Sequence, residues 1–280
     1  MINYFKESLR RKKARRITKE YPPKVSAFNL PEDGLIEFAN WDNPIMHQFV
    51  ITQSTINFFR KFISEGDLAI DIGANIGDTT VPMSLATGIN GITLGFDPNP
   101  YVFKILKKNA SLNKGKSHIT PIPFAISTTD EEFYFISSEA SFSNGGISPT
   151  KESTHGKFVY PHKIKGVNLS EFLEKNYKQW IDKLSFIKID AEGYDKEIIK
   201  SIANLIIKTK PVIVAESFGN SSNDAKMELF QVIQQHNYDI FYFGDFDMNT
   251  EIIKIKKKEE MLNWKGTINI YAVPINLSSK

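Results

Sequence analysis

The 280-residue chain contains no cysteine, no long apolar run and no strong excess of charge of either sign. Without cysteine it cannot form disulfides, thiolate zinc sites or iron–sulfur clusters, and it cannot use a cysteine nucleophile. Such a chain suits a reducing compartment, so we expect a cytoplasmic protein. The longest apolar runs have the length of a strand and fall short of the ~20 residues that a membrane-spanning helix needs. Residues 5–20 are basic and no apolar core follows them, so we expect no signal peptide.

The small net charge of +3 hides an uneven distribution along the chain. Residues 1–20 contain eight Lys or Arg and two acidic residues, whereas the other 260 residues contain 27 basic and 30 acidic residues. We therefore expect a basic N-terminal appendage over residues 1–45 and a mildly acidic domain over residues 46–280. An acidic domain disfavours nucleic acid as a partner.

The basic segment of residues 6–19 has three interpretations. It could contact anionic lipid head groups, bind nucleic acid, or be a solvated arm without a partner. Of the two functional interpretations we prefer a weak contact with a membrane surface or a partner, because the acidic domain disfavours nucleic acid.

Short apolar runs alternate with amphipathic, helix-compatible stretches along most of the domain. Seven runs have this character: 68–72, 92–96, 119–126, 185–189, 212–215, 239–243 and 267–273. This alternation predicts a single α/β domain with a mostly parallel sheet and helices on both faces. Residues 127–168 break the rhythm with a segment rich in Ser, Asn and Gly, and we predict a hairpin insertion with a mobile tip there.

The strongest local signal is the segment 68–80, in which a buried strand leads into a glycine-bearing turn and the start of a helix. Gly73 and Gly77 permit a close approach of the backbone to a ligand, and the free N–H groups of the following helix can bind a polar or anionic group. Twenty residues after Gly77, Asp97 ends the second strand, where a carboxylate can accept both hydroxyls of a ribose. The segment therefore predicts a nucleotide-like ligand.

The charges around the turn distinguish between two such ligands. A dinucleotide fingerprint has small residues against the pyrophosphate, but here Asn75 and Asp78 take those positions. Asp78 would repel a pyrophosphate at the start of the helix. Together with Asp71 it suits a ligand with a positive end, such as the sulfonium and ammonium of S-adenosylmethionine. The electrostatics favour this cofactor over NAD.

Four segments together resemble the motifs of the FkbM-like family of class I S-adenosylmethionine-dependent O-methyltransferases. They are 71–78 (DIGANIGD), 95–101 (GFDPNPY), 124–127 (FAIS) and 187–193 (IKIDAEG). The resemblance covers about residues 47–217. It implies a Rossmann-like fold with a seven-stranded sheet and an insertion between the third and fourth strands.

The resemblance also implies which residues hold S-adenosyl-L-methionine. Asp71, Gly73, Asn75 and Gly77 would surround the methionine part, Asp97 would bind the ribose, and Asn99 and Ala125 would lie near the adenosine. The neighbouring residues that complete the expected cofactor set are Ala74, Asp78, Thr79 and Pro98. The family often has Glu where this chain has Asp97, but the shorter acid can still bind a diol.

Three carboxylates follow the fourth and fifth strands and are the candidate catalytic residues. Asp190 and Glu192 come after the fourth strand, and Glu216 ends the fifth, so all three are expected at the carboxyl edge of the sheet. They could orient an acceptor hydroxyl, remove its proton, or hold a divalent metal ion, a question that we leave open. The structural alternative for each is to cap the next helix.

We therefore expect an O-methyltransferase, and the resemblance implies a sugar acceptor in a glycan, glycolipid or natural product. The segment 97–101 superficially resembles the Asp-Pro-Pro-Tyr motif of amino-methyltransferases, but it follows the second strand instead of the fourth, which speaks against N-methylation. Two alternatives remain open. They are a nicotinamide-dependent oxidoreductase on the same architecture and a non-catalytic binding module that keeps the fold.

Overall fold

A computed structural model describes residues 2–153 and 156–275 of the chain. The α-helices of this part are α1 (Ile2–Ala14), α2 (Gln53–Arg60), α3 (Thr80–Thr87), α4 (Pro100–Ala110), α5 (Leu169–Asn176), α6 (Asp195–Ser201), α7 (Ala203–Thr209) and α8 (Asn223–Gln234). Two 3₁₀ helices span Lys178–Lys183 and Lys258–Asn263. The strands are β1 (Pro23–Leu30), β2 (Gly34–Trp41), β3 (Leu68–Ile72), β4 (Ile92–Phe96), β5 (Ile119–Ile122), β6 (Ala125–Ile126), β7 (Glu132–Ser137), β8 (Gly146–Ser148), β9 (Phe158–Val167), β10 (Leu184–Ile189), β11 (Val212–Ser217), β12 (Tyr238–Phe243), β13 (Ile252–Ile255) and β14 (Ile268–Pro274).

The central sheet has the strand order β13-β12-β14-β11-β10-β3-β4-β5. Neighbouring strands from β11 to β5 are parallel, and β14 runs antiparallel to both β11 and β12. Every residue of β3 and β4 is buried, as expected for strands covered on both faces by helices. The predicted α/β fold with a mostly parallel sheet is confirmed.

Within the part of the chain that the structure describes, the central sheet contains eight strands, whereas we expected seven. The additional strand is β13, which pairs antiparallel with β12 from Ile240 opposite Ile255 to Phe243 opposite Ile252. It lies in the lysine-rich segment that connects β12 to β14, and the high charge of this segment did not predict a strand. Ile252 and Ile253 are 43% and 41% exposed, so this edge strand is only weakly marked by burial.

The insertion between β5 and α5 is a small sheet of its own with the order β6-β9-β7-β8. We expected a hairpin here, and its longest antiparallel pair joins β7 and β9, with β8 between them in the chain. The strands β6 and β8 extend that pair on either side, so the segment is more elaborate than a single hairpin. The apolar run 119–126 therefore divides between two sheets, with β5 in the central one and β6 in the insertion.

The hairpin of β1 and β2 lies within the segment that we expected to be an appendage. Ile36 and Phe38 of β2 are fully buried in one apolar cluster with Val102 and Ile105 of α4. The side chain of Asn109, also on α4, donates to the carbonyl of Ala39 and accepts from its N–H, at 2.9 Å and 2.7 Å. Residues 34–41 therefore pack against the helical layer of the sheet.

Candidate functional site

A cleft of about 730 Å³ opens where the carboxyl ends of β3, β4 and β10 meet the insertion. Three turns from the sheet contribute to one wall, with Gly73 and Asn75 after β3, Asp97 after β4, and Asp190 and Glu192 after β10. The insertion contributes the opposite wall, which combines aromatic rings with hydroxyl and amide groups. These residues are Phe124, Ser127, Thr128, Thr129, Phe133, Phe135, Ser143 and Asn144. The cleft therefore brings the predicted cofactor turn and two of the predicted carboxylates to one place.

Gly73 is required by the close approach of two strand ends. Its φ is +75°, and a Cβ at this position would lie 2.0 Å from the carbonyl oxygen of Asp190. The N–H groups of Gly73 and Ala74 both donate to the carbonyl of Phe96, each at 3.0 Å. The turn is thus fixed between β4 and the segment after β10, as a preformed cofactor cradle requires.

Asn75 occupies the same turn with a left-handed φ of 48°, which asparagine tolerates better than most residues. Its side-chain oxygen is buried and has no hydrogen-bond partner among the described residues. A buried polar atom normally has a partner, so an unpartnered one in a cleft wall indicates a place where a ligand can donate a hydrogen bond. Asn75 lines the cleft, and its role toward a cofactor stays a prediction.

Asp97 accepts hydrogen bonds from the backbone N–H groups of Asn75 at 2.7 Å and of Asn99 at 2.8 Å. Only 7% of the residue is exposed, and burial raises its pKa to about 7, although the two N–H groups oppose the shift. Each carboxylate oxygen keeps a second lone pair for a further donor. The side chain is therefore placed to accept hydrogen bonds from a diol.

Asn99 connects the loop between β4 and α4 to the insertion. Its side-chain oxygen accepts from the N–H of Tyr101 and caps α4, and its amide donates to the carbonyl of Phe142 at 2.8 Å. Phe142 has a φ of 54° and stacks on Tyr101 with the ring centroids 5.0 Å apart. The loop after β4 and the insertion are therefore held together beside the cleft.

Asp71 lies behind the cleft wall and does not line it. The residue is fully buried, and one of its oxygens accepts from the hydroxyls of Thr79 at 2.8 Å and Thr80 at 2.6 Å. The other oxygen accepts from Lys188 Nζ at 3.2 Å. Asp71 thus fixes the start of α3, and any effect it has on a ligand is transmitted through these neighbours.

Four other members of the predicted cofactor set are also absent from the lining of the cleft. They are Ala74, Gly77, Asp78 and Thr79. Burial raises the pKa of Asp78 to about 6, an effect that Lys188 opposes and Asp71 reinforces. In contrast, Pro98, Asn99 and Ala125 line the cleft as expected. The cofactor roles of the whole set stay predictions.

Glu192 has a φ of 51°, a conformation that is strained for a side chain of this kind. Strain of this type is concentrated at functional sites, where the surrounding structure maintains it. Partial burial raises the pKa of Glu192, and the neighbouring Asp190 carboxylate raises it further. A carboxylate with a raised pKa is a better proton acceptor at neutral pH.

Glu216, the third candidate, is not among the residues that line the cleft. It lies in a neighbouring small pocket together with Asp195 and Lys196. Burial raises its pKa to about 8, and the carboxylates of Asp190, Asp195 and Glu192 add to the shift. Glu216 is therefore within electrostatic range of Asp190 and Glu192 but does not line the same cleft.

Two buried residues of this region were missed in the sequence. Asp195, at the start of α6, accepts from the N–H groups of Ala191 at 3.3 Å and Glu216 at 2.9 Å, and so ties the turn after β10 to β11. Burial raises its pKa to about 7. Lys188 lies in β10 and contacts both Asp71 and Asp190. A lysine within an otherwise apolar strand is the sequence signal that could have identified it.

Within residues 2–153 and 156–275, no group of three or more His, Asp or Glu is arranged to hold a metal ion. Within the same ranges, no helix has the length and apolar character needed to cross a membrane.

Comparisons with known proteins agree with the motifs around this cleft. Residues 71–240 match the sequence profile of the Methyltransferase FkbM domain, which corresponds to more than half of the chain. The chain is 24% identical over 210 residues to the hexuronic acid methyltransferase AglP of Haloferax volcanii, covering 75% of each chain. Among solved structures, it is similar to a methyltransferase FkbM from Methylobacillus flagellatus, with 13% identity, a TM-score of 0.46 and coverage of 76% of this chain and 47% of that chain. A precorrin-6y C5,15-methyltransferase from Geobacter metallireducens matches with 13% identity, a TM-score of 0.42 and coverage of 81% and 93%.

Proposed function

The chain belongs to the FkbM methyltransferase family, and we propose that it transfers a methyl group from S-adenosylmethionine to a hydroxyl group of a sugar. The observation that carries the proposal is the Asp190–Glu192 turn, which lines the same cleft as the cofactor turn at Gly73 and Asn75. The family membership supports neither a nicotinamide-dependent oxidoreductase nor a non-catalytic module.

The residues of the cleft fit the cofactor in their chemistry. Asp97 would bind the ribose hydroxyls, and the unpartnered oxygen of Asn75 would accept from the ammonium of the methionine part. Gly73 leaves room for the backbone turn that holds them. S-adenosylmethionine supplies a methyl group already activated by its sulfonium, so the protein has mainly to position the acceptor and take up a proton.

A sugar suits the wall that the insertion contributes. The rings of Phe124, Phe133 and Phe135 offer apolar faces, while Ser143 and Asn144 offer hydrogen-bonding groups. Ligand sites commonly combine an apolar surface with a few polar groups that fix the orientation of the ligand. The similarity to a hexuronic acid methyltransferase supports a saccharide acceptor in general.

Glu192 is the side chain that we assign to proton uptake. Glu192 lines the cleft, and its raised pKa makes it a stronger base than an ordinary glutamate. Asp190, two residues earlier, has its carboxylate held by Lys188 at 3.3 Å and would orient the acceptor hydroxyl. The proton of that hydroxyl would pass to a carboxylate oxygen of Glu192.

We predict that Glu192→Gln lowers methyl transfer by about 100-fold, because the variant cannot accept the proton. Binding of S-adenosylhomocysteine, measured by calorimetry, should stay unchanged. The activity assay uses cofactor with a tritiated methyl group and a glycan and glycolipid extract of the cells that encode the protein. Label is then sought in methylated sugars after acid hydrolysis.

The matched control is Glu216→Gln, which changes a glutamate with a raised pKa that lies outside the cleft lining. We expect it to retain activity. Full activity of Glu192→Gln would exclude the proposed base. Label recovered in protein or nucleic acid instead of sugar would exclude the proposed acceptor class.

We also infer that the basic segment 6–19 contacts an anionic membrane surface. Its Lys and Arg side chains are exposed, and Leu9 and Ile17 are 58% and 57% exposed beside them. The end of α1 is bonded to the insertion, because Ala140 N–H donates to the carbonyl of Arg15 at 3.2 Å and Arg15 pairs with Glu139 at 3.1 Å. Such a contact would bring the insertion side of the cleft to the surface on which a glycolipid lies.

This contact predicts salt-sensitive binding to vesicles that contain phosphatidylserine and none to pure phosphatidylcholine, since each basic residue near the surface contributes about 1 kcal/mol. The double variant Lys12→Glu/Lys13→Glu should abolish co-sedimentation. The control Lys256→Glu/Lys257→Glu makes the same charge change in the connector after β13 and should bind like the natural protein. Equal loss in both double variants would show that only net charge matters, and would contradict the inference.

A further inference from the structure

Lys188 is a buried ammonium group between the two turns of the site. Its side chain is 7% exposed, and its Nζ lies 3.2 Å from Asp71 Oδ1, 3.3 Å from Asp190 Oδ2 and 3.4 Å from the carbonyl oxygen of Gly73. Asp71 lies in β3, Gly73 belongs to the predicted cofactor turn that follows β3, and Asp190 begins the carboxylate turn after β10. Through Gly73 and Asp190, one side chain therefore contacts both turns of the cleft wall.

The charges around Lys188 maintain its ammonium form. Burial alone would lower its pKa, but the carboxylates of Asp71, Asp190 and Asp78 together raise it. Asp97 also lies within electrostatic range. The two salt-bridged partners differ in surroundings, because the Asp71 side chain is fully buried whereas 41% of the Asp190 side chain is exposed. Lys188 is thus anchored by the fully buried Asp71 and holds Asp190, the partner that is partly exposed to solvent.

We propose that Lys188 is a positioning residue that holds the Asp190 carboxylate in one orientation beside the cofactor turn. This inference rests on the proposed transfer to a hydroxyl group at the same site. A free aspartate side chain at the edge of a cleft would sample several rotamers, whereas a charge-assisted hydrogen bond restricts it to one. Orientation of the acceptor hydroxyl then depends on a residue that does not line the cleft.

A purely structural role is the alternative to exclude. Lys188→Met alone leaves the Asp71 carboxylate buried without its counter-charge, which is strongly destabilising, so this variant can fail simply by not folding. The informative comparison is Asp71→Asn/Lys188→Met against Asp71→Asn, because both lack the Asp71 carboxylate and only Asp71→Asn keeps the contact between Lys188 and Asp190. If Lys188 only neutralises Asp71, the two variants have the same turnover.

The positioning role predicts a different result for the double variant. It should fold and bind S-adenosylhomocysteine within about 10-fold of Asp71→Asn. Its kcat in the tritium assay should be about 30-fold below that of Asp71→Asn, with little change in the KM of the acceptor.

Lys188→Arg should retain part of the kcat, since a guanidinium can bind both carboxylates. The matched control is Lys226→Met, which removes another buried lysine, one on α8, and should leave kcat unchanged. A kcat of the double variant equal to that of Asp71→Asn would overturn the inference. Failure of the proposed function itself is distinguishable, because the natural protein would then label no sugar.

Discussion

Asp97→Asn is expected to weaken the binding of S-adenosylhomocysteine by about 1000-fold at pH 8. Asp97 lines the cleft, and both of its oxygens are oriented by backbone N–H groups. A hydrogen bond from a ribose hydroxyl to a carboxylate contributes about 1.5–3 kcal/mol. The substitution replaces one acceptor oxygen by an NH2 group, which cannot accept and faces a backbone N–H, and it removes the charge from the other hydrogen bond, so the combined loss is about 4 kcal/mol. Isothermal titration calorimetry on the free protein measures the effect directly and requires no acceptor.

The same residue should make cofactor affinity depend on pH. Burial raises the pKa of Asp97 from 3.8 to about 7, so the free protein carries this carboxyl protonated below pH 7. Ribose hydroxyls donate to the ionised form, and the proton must therefore leave on binding. We expect the affinity of the natural protein to fall by up to about tenfold per pH unit below pH 7.

Asp97 should make the stability of the free protein fall with rising pH, whereas it makes the affinity for the cofactor rise. Because the folded pKa lies above the unfolded value, the folded state binds the extra proton between about pH 4 and pH 7. The contribution of Asp97 to stability is therefore present below pH 4 and is lost as the pH rises through 7. Bound cofactor should offset that loss at high pH, and the thermal shift that it produces should grow accordingly.

Asp195→Asn is the control for the Asp97 experiment. Asp195 is also a buried aspartate that accepts two backbone N–H bonds, and burial raises its pKa to about 7 as well. It differs in that it lies outside the cleft lining. We expect its substitution to lower stability but to leave the dissociation constant and its dependence on pH unchanged. An equal loss of affinity in both variants would mean that Asp97 acts only through the fold.

The residues that could be predicted are those whose signal is local in the chain. The turn at Gly73 and the carboxylate of Asp97 follow buried strands at a recognisable spacing, and the structure places both at the cleft. The Asp190–Glu192 turn follows β10 in the same manner. In each case a parallel strand delivers its following residues to one edge of the sheet, so sequence order alone fixes their neighbourhood.

The residues that could not be predicted depend on partners distant in the chain. Lys188 is separated from Asp71 by 117 positions, and nothing near it in sequence indicates which carboxylate it meets. Asn109 holds Ala39 across 70 positions, and this contact is part of the packing of β2 against α4. The edge strand β13 could not be predicted for the same reason. It forms because it pairs with β12, and its own composition does not indicate a strand. Tertiary contacts of this kind override local propensity.

Gly73→Ala is expected to be the most damaging single substitution in the site. Two effects act together: a φ of +75°, which costs an alanine about 1–2 kcal/mol, and a Cβ placed 2.0 Å from the carbonyl oxygen of Asp190. The contact is with backbone, so no rotamer change relieves it, and β3 and β10 must move apart. We expect a loss of more than about 4 kcal/mol in the free energy of unfolding, or no folded protein.

Gly66→Ala separates the two effects. Gly66 has a φ of +90°, but a Cβ there would have no heavy atom within 4 Å. This control should lose only the conformational term of about 1–2 kcal/mol, which lowers the Tm by a few degrees in a chain of this size. Thermal unfolding followed by circular dichroism compares the two variants. If Gly73→Ala lowers the Tm no more than Gly66→Ala does, the turns after β3 and β10 can separate at little cost, and the close approach of Gly73 to the backbone of Asp190 is not a fixed feature of the site.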